Sequence, residues 1–297
     1  MSSPGRHRWW CHSCRRGFSW STGRVNYQRQ FVWFQRWITQ GYTIGQLVKH
    51  SGHSRATIQR ILDYWLRHPP ETDVGTIDNK YILFDGTYLH HRHGMFAAMD
   101  GVTHRIMCGV YGMNEGPRDL LIFCQSLNEQ GLHPISATID GNPHVFRAIQ
   151  LLWPTIMVQR CLVHIQRQGL SWCRQHPKRP NAQHLRRIFR MVLNIHTHAQ
   201  VRQFVHTFDR WNEQYGTQLA NSSNRGWVTN DLQKAQSMLT KALPYMFVHL
   251  FDEKIPRSTN ALEGYFSRLK HRYRQHRGLS KQHRPGYFKW YFNLVPK

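Results

Sequence analysis

Acidic residues are scarce in this chain. Its 297 residues hold 16 Asp plus Glu against 40 Lys plus Arg, a formal net charge of +24 at pH 7. The deficit exceeds what solubility asks of a surface and points to a polyanionic partner, nucleic acid first. Long apolar runs are also missing. No stretch of about 18 apolar residues exists, which excludes a membrane-spanning helix. The opening MSSPGRHRWWCHSC lacks the apolar segment of a secretory signal. A soluble, cytoplasmic protein is therefore expected. Cysteine is sparse, six in all. In a chain of this size without an export signal that excludes a disulfide framework and leaves free thiols or metal ligands. Internal repeats and low-complexity tracts are lacking too. What is present is 40% hydrophobic and 13% aromatic residues, too many for a disordered basic tail.

The basic excess is not spread evenly. Residues 80–165 contain six basic and six acidic groups, whereas residues 257–297 contain ten basic groups and one acid, Glu263. Residues 1–75 and 166–256 are each net basic. A neutral segment thus lies between basic ones, and its few acids belong either to surface or to chemistry.

Near the start, Cys11-x-x-Cys14 forms one metal-binding knuckle, with His7 and His12 as substitute ligands. A tetrahedral zinc site needs four ligands, usually from two knuckles. Next, Phe31, Phe34 and Ile38 recur at helical spacing. Thr43 can cap a second helix containing Ile44, Leu47 and Val48, Gly52 turns the chain, and Ser54 can cap a third helix with Ile58, Ile61, Leu62 and Trp65 facing inward. Helix, Gly-containing turn, helix is the helix-turn-helix pattern. It also fits an ordinary three-helix bundle, but the surrounding positive charge favours DNA. Arg55, Thr57, Gln59 and Arg60 would then be the groove-reading residues. His68-Pro69-Pro70-Glu71 ends the helix and opens a linker.

Periodicity then changes to that of strands. Residues 81–84, 94–100, 104–111, 135–139 and 156–158 read as strands, with helices after Gly116-Pro117 and Pro143. The expected order is strand, strand, strand, helix, strand, helix, strand, a mixed sheet with helices on its faces. Residues 165–250 read as helices, broken by a Gly/Asn/Ser-rich loop at 221–226. A final helix is expected to start near Ser258.

Two of these strands are expected to end in Asp-Gly, at Asp85-Gly86 and Asp140-Gly141. Either alone reads as a turn. Together, in the neutral segment of a basic protein, they read as converging carboxylates on neighbouring strands, which lie about 4.8 Å apart. Such carboxylates repel unless a cation intervenes. Mg²⁺ takes a few carboxylates with phosphate oxygens, and two ions can clamp both ends of a phosphodiester exchange. Glu263 is the candidate third acid. As an alternative it is a glutamate favoured by the N-terminal dipole of its helix. Its neighbours Arg268, Lys270, Arg272 and Arg274 would hold the DNA backbone. Asp100, Asp119, Asp252 and Glu253 are rival acids, the last two expected as a solvated surface pair.

Four motifs in order carry a resemblance. Arg8-Trp9-Trp10-Cys11-x-x-Cys14 with Phe18, the Asp85 and Asp140 blocks, Gln159-Arg160-Cys161-x-x-His164, and Ser258 to Gly264 followed by Lys270 and His276 to Ser280 are similar to motifs of bacterial insertion-sequence transposases of the Mutator-like superfamily. The resemblance runs from residue 8 nearly to the end. It implies an α/β fold: an RNase H-like mixed sheet interrupted by an all-α insertion, preceded by a helix-turn-helix domain and a partial zinc ribbon. The boundaries implied are 1–24 for the ribbon remnant, 25–70 for the helix-turn-helix, 78–164 for the first part of the core, 165–252 for the insertion and 253–297 for the rest of the core. The first zinc knuckle of the family is absent.

The same resemblance implies a DDE triad of Asp85, Asp140 and Glu263 with two Mg²⁺ (or Mn²⁺) ions, Asp85 shared by both. It implies cutting of the element end and attack of the freed 3′-OH on target DNA. Cys161, His164, Asn260 and Lys270 would support the active site. Cys11 and Cys14 remain candidate Zn²⁺ ligands. The partners implied are terminal inverted repeats, target DNA and a second copy of the chain, with no membrane, and the location implied is the bacterial nucleoid. A catalytically silent, domesticated DNA-binding regulator is the alternative.

Overall fold

The computed structural model describes residues 9–18, 23–71, 80–90, 93–220, 227–276 and 278–297. His7, Arg8, the linker at 72–79, the loop at 221–226 and Arg277 fall outside them. The chain begins with a two-stranded antiparallel ribbon, β1 (Trp9–Cys11) and β2 (Arg16–Phe18). Three helices follow: α1 (Gly23–Gln40), α2 (Ile44–Ser51) and α3 (Arg55–Arg67). Their ends follow from local chemistry. Thr43 and Gln46 form a reciprocal capping box on α2. Gly52, at φ 68°, closes that helix in the left-handed conformation. The Ser54 hydroxyl accepts the Thr57 N–H to start α3, a cap worth about 1 kcal/mol.

The sheet comprises β3 (Tyr81–His90), β4 (His93–Asp100), β5 (Ile106–Met113), β6 (Ser136–Ile139) and β7 (Met157–Arg160). Helices α4 (Pro117–Glu129) and α5 (Pro143–Leu152) connect the last three strands. Spatial order is β5-β4-β3-β6-β7. The first three strands pair antiparallel, and β3-β6 and β6-β7 pair parallel. The order of strands and helices is the one the periodicity predicts. The largest difference in bounds is at β3. β3 does not stop at Asp85. It runs on because Asp85, Gly86, Thr87 and Tyr88 continue the ladder with β4. What stops near Asp85 is the parallel pairing with β6, whose last partners are Phe84 and Ile139.

Side chains alternate across the sheet. Ile82, Phe84, Phe96, Ala98, Ala137 and Ile139 are buried with α4 and α5. Leu83, Met95, Ala97 and Met99 are buried on the other face with α11 (Asn260–Arg274) and α12 (Arg284–Leu294). Before these come α6 (Leu162–Trp172), α7 (Pro180–Met191), α8 (His198–Trp211), the single turn α9 (Thr217–Ala220) and α10 (Trp227–Ala242), which bury a separate third core. Trp172 packs against that core.

Helix α12 is not legible as an amphipathic stripe, because Tyr287, Phe288, Trp290, Tyr291 and Phe292 are all buried. It lies between the sheet and the N-terminal helices, so Phe34, Trp37, Ile58 and Leu62 share one core with α11 and α12. Trp290 Nε1 donates to the Trp65 carbonyl at 2.7 Å, and Gly286 sits so close that a Cβ there would collide with the Leu66 carbonyl oxygen. No helix among the described residues is long and apolar enough to cross a membrane.

Candidate active site

Asp85 follows Phe84 on β3 and Asp140 follows Ile139 on β6, one step beyond the final pair of the parallel register. Alternation turns both away from the α4/α5 face, where Phe84 and Ile139 are buried. They fall on the face covered by α11, as Thr138 confirms by donating to the Pro256 carbonyl at 2.7 Å, just ahead of that helix. Glu263 stands in the first turn of α11. Three acids distant in sequence are thereby directed to one face.

The carboxylates influence one another. Asp85 is 6% exposed. Burial, then repulsion from Asp140, pushes its carboxyl up to about 7, with Glu263 adding to the rise and His164 and the Gly86 N–H opposing it. Asp140 Oδ1 accepts the Asn142 N–H at 2.9 Å. Glu263 is faced by two cations from α6, His164 Nε2 and Arg167 Nη2, each at 3.4 Å. Its Oε1 is buried yet accepts no hydrogen bond. Among the described residues, no three His, Cys, Asp or Glu side chains meet in metal-ligating geometry.

A cleft of about 350 Å³ is lined by Asp85, Gly86, Thr87, His164, Glu263, Phe266, Ser267 and Lys270. Asp140 stands outside that lining. Lys270 donates from Nζ to the Thr87 hydroxyl. Burial lowers its ammonium, as does Arg274, while Asp85 opposes. Asn260 is exposed at the first position of α11 and is not drawn into the cleft.

Cys161 and His164 lie at the start of α6. The sulfur is 3.2 Å from His164 Nδ1 and accepts the Thr259 N–H at 3.3 Å. Thr259 precedes α11, so the sulfur joins the end of β7 to the start of the helix that carries Glu263. Burial raises the Cys161 thiol, but the His164 contact and the Thr259 N–H outweigh it and the net shift is downward. The sulfur contact raises the His164 imidazole to about 9 against the effect of burial.

Sequence reasoning gave no role to three contributors. Arg160 Nη2 donates to the Asp140 carbonyl at 3.2 Å and covers Gly141. With φ at 115° and no room for a Cβ beside the guanidinium, Gly141 has to be glycine. Arg167 has no motif around it. Glu115, just before α4, accepts the Asn142 Nδ2 hydrogen at 3.1 Å and lies against Gly86 so closely that a Cβ there would collide with its Oε1. Burial raises its carboxyl, the Asn142 bond opposes this, and Asp140 adds to the rise. The only sequence signal was an acid before Gly-Pro in a neutral segment.

The rival acids have other work. Asp100 accepts N–H groups of the turn after β4. Asp119 accepts the Asn114 N–H. Asp252, partly exposed beside the exposed Glu253, accepts the Tyr81 hydroxyl at 2.6 Å.

At the N-terminus, Cys11 and Cys14 sit in and beside the β1 strand, with Cys14 exposed. The Cys11 thiol is lowered to about 6 by contacts with Ser13 and Cys14. Arg55, Gln59 and Arg60 are exposed on α3, and Thr57 is half-buried. Arg55 and Gln59 line a cavity of about 570 Å³ against Gln275, His276 and His283. On α11, Arg268 and Arg274 are exposed. Arg272 is instead half-buried, donating to Gln275 Oε1 at 3.0 Å beside Gly41 of the α1–α2 turn.

The profile of the family described as "Transposase, Mutator family" matches residues 82–282. A protein of Corynebacterium diphtheriae named "Probable transposase for insertion sequence element" is 28% identical over 92 residues, 31% of this chain and 26% of that protein. The match thus spans about a quarter of the relative's length.

Proposed function

This chain belongs to the Mutator family of transposases, whose profile covers it from β3 into the segment after α11, and on that premise we propose that it is the DNA transposase of an insertion sequence. It binds the element's terminal inverted repeats, cuts DNA strands at the element ends and joins them to target DNA. The core is read as RNase H-like and α6 to α10 as its helical insertion.

The observation that carries this reading is the register of Asp85 and Asp140 on parallel strands beneath the helix that carries Glu263. Two observations support divalent cations here. Glu263 Oε1 is buried and accepts no hydrogen bond, with only the His164 imidazole beside it at 3.4 Å, and repulsion from Asp140 on the buried Asp85 is only partly offset by His164 and the Gly86 N–H. Asp85, Asp140 and Glu263 would hold two Mg²⁺ or Mn²⁺ ions, which supply Lewis-acid stabilisation of the attacking and leaving oxygens.

The chain's own groups do the rest. His164 and Arg167 hold the two oxygens of Glu263. Lys270, on the cleft wall, is placed to take a phosphate oxygen of the cut strand. Exposed Arg268 and Arg274 offer backbone contacts, which position without reading sequence. The α2–α3 pair acts as a helix-turn-helix, with Arg55, Thr57, Gln59 and Arg60 on the reading helix. Two element ends are held by a dimer or larger assembly. Cys11 and Cys14 contribute to Zn²⁺ binding only with ligands beyond this ribbon.

The test is a labelled terminal repeat incubated with purified protein and Mg²⁺. Nicking at the element end is expected, and Asp85→Ala should bind the repeat but leave it intact. If Asp85→Ala nicks as well as the parent protein, the catalytic assignment is wrong.

A further inference from the structure

We propose that Glu115 is a positioning residue of the cutting site, holding the Asp140 turn in register with Asp85 through the side-chain amide of Asn142. This rests on the transposase reading above and adds to it a residue outside the triad.

Beyond the helical bond from the Phe146 N–H to its carbonyl, Asn142 makes three bonds. Its own N–H goes to Asp140 Oδ1 at 2.9 Å. Its Oδ1 accepts the His144 N–H at 2.9 Å and starts α5. Its Nδ2 donates to Glu115 Oε2 at 3.1 Å. The first two are local and would form in any Asx-type turn. The third ties that turn to the segment between β5 and α4, on the far side of β3 and β4 in the sheet order.

The other oxygen, Oε1, packs against the backbone at Gly86, which lacks a Cβ at the point of contact. One carboxylate therefore touches the residue after Asp85 and the residue two beyond Asp140. The β3–β6 ladder ends one residue before both aspartates, so no backbone pairing fixes their separation. The Glu115 bridge spans that gap. Outer groups that orient metal-binding carboxylates are worth roughly 10- to 100-fold in metal affinity or activity.

The experiment uses the full chain with two readouts, nicking of a labelled terminal repeat and Mn²⁺ affinity by titration calorimetry without DNA. Glu115→Ala should lower kcat and weaken Mn²⁺ binding, each by roughly 10-fold or more, with affinity for the repeat unchanged. Glu115→Gln keeps an acceptor for Asn142 and should recover most of both losses. Asn142→Asp keeps the α5 cap but removes the donor, and should behave like Glu115→Ala. Combining Asn142→Asp with Glu115→Gln restores the bond with donor and acceptor exchanged, and should recover both signals.

If Glu115→Gln is as impaired as Glu115→Ala, the carboxylate acts as a ligand in its own right and the positioning role is overturned. Failure of the exchange pair to recover Mn²⁺ affinity overturns it as well. Should Glu115→Ala not fold, the Asn142→Asp single and exchange variants still decide. A parent protein that binds Mn²⁺ but never nicks DNA would instead refute the transposase reading, leaving the Glu115–Asn142 coupling to be judged from the calorimetry.

Discussion

Asp85 on β3 and Asp140 just beyond the end of β6 each lie one residue past the Phe84–Ile139 pair that closes the parallel β3–β6 ladder. Their closeness is a product of register and costs stability in the absence of a cation.

The first prediction follows from that cost. In metal-free buffer, Asp85→Asn should raise the melting temperature, because it removes a buried charge repelled by Asp140. Mg²⁺ should raise the melting temperature of the parent protein by binding only the folded state, and should do so far less in the variant. Equal Mg²⁺ shifts in the two proteins would remove Asp85 from the ion site.

A second prediction concerns His276, 7% exposed, tilted against the Trp37 ring at 4.2 Å and edge-on to Tyr287. Burial lowers its imidazole to about 4, with Arg272 adding to the effect and the Trp37 backbone opposing it. In the unfolded chain the imidazole returns to its ordinary value of 6.5 and binds this proton more readily than in the folded one. Stability from this group is therefore full above about 6.5 and lost as pH falls toward 4, on the order of 3 kcal/mol in all. Denaturant titrations across that range should show the slope, and His276→Gln should flatten it. An unchanged slope would assign acid sensitivity elsewhere.

Gly286→Ala tests the docking of α12. The added methyl would meet the Leu66 carbonyl oxygen, a backbone atom that cannot swing aside, and the expected loss is about 1–3 kcal/mol. The drop should be visible as a lower melting temperature and as faster proteolysis in the N-terminal helices. A parent-like melting curve would mean that α12 and α3 do not sit this closely.

DNA affinity should separate the basic residues by salt. Arg274→Ala should weaken binding evenly across sequences and reduce the log–log salt slope by about 0.9. Arg60→Ala and Arg55→Ala should change preference among repeat sequences, by roughly 1–3 kcal/mol for a base contact. If all three behave alike in competition assays, α3 is not the reading helix. Arg272→Ala should instead act mainly on stability, since it packs on Gln275 beside the α1–α2 turn.

Much of the sheet was legible because its signals are local. Asp-Gly pairs, caps at Thr43 and Ser54, and strand periodicity each need only neighbouring residues. What escaped depends on partners far along the chain. β3 continues past Asp85 because β4 pairs with it there, which no local pattern announces. The bond from the Tyr81 hydroxyl to Asp252 joins residues 171 apart in sequence. Glu115 lies in no motif, and its partners come from two other segments. Helix α12 was missed because burial on all sides erases the one-sided stripe by which helices are recognised. Glu263 was legible for the opposite reason, as the lone acid in a basic segment.

The burial of α12 on both sides has a genetic corollary. The N-terminal helices are built with material supplied last during synthesis, since Trp290 and Gly286 complete the surface on which Trp65 and Leu66 rest. A frameshift or stop codon after α11 would leave Asp85, Asp140 and Glu263 in place and still strip the N-terminal helices of their support. Lesions at the two ends of the gene should therefore share a phenotype.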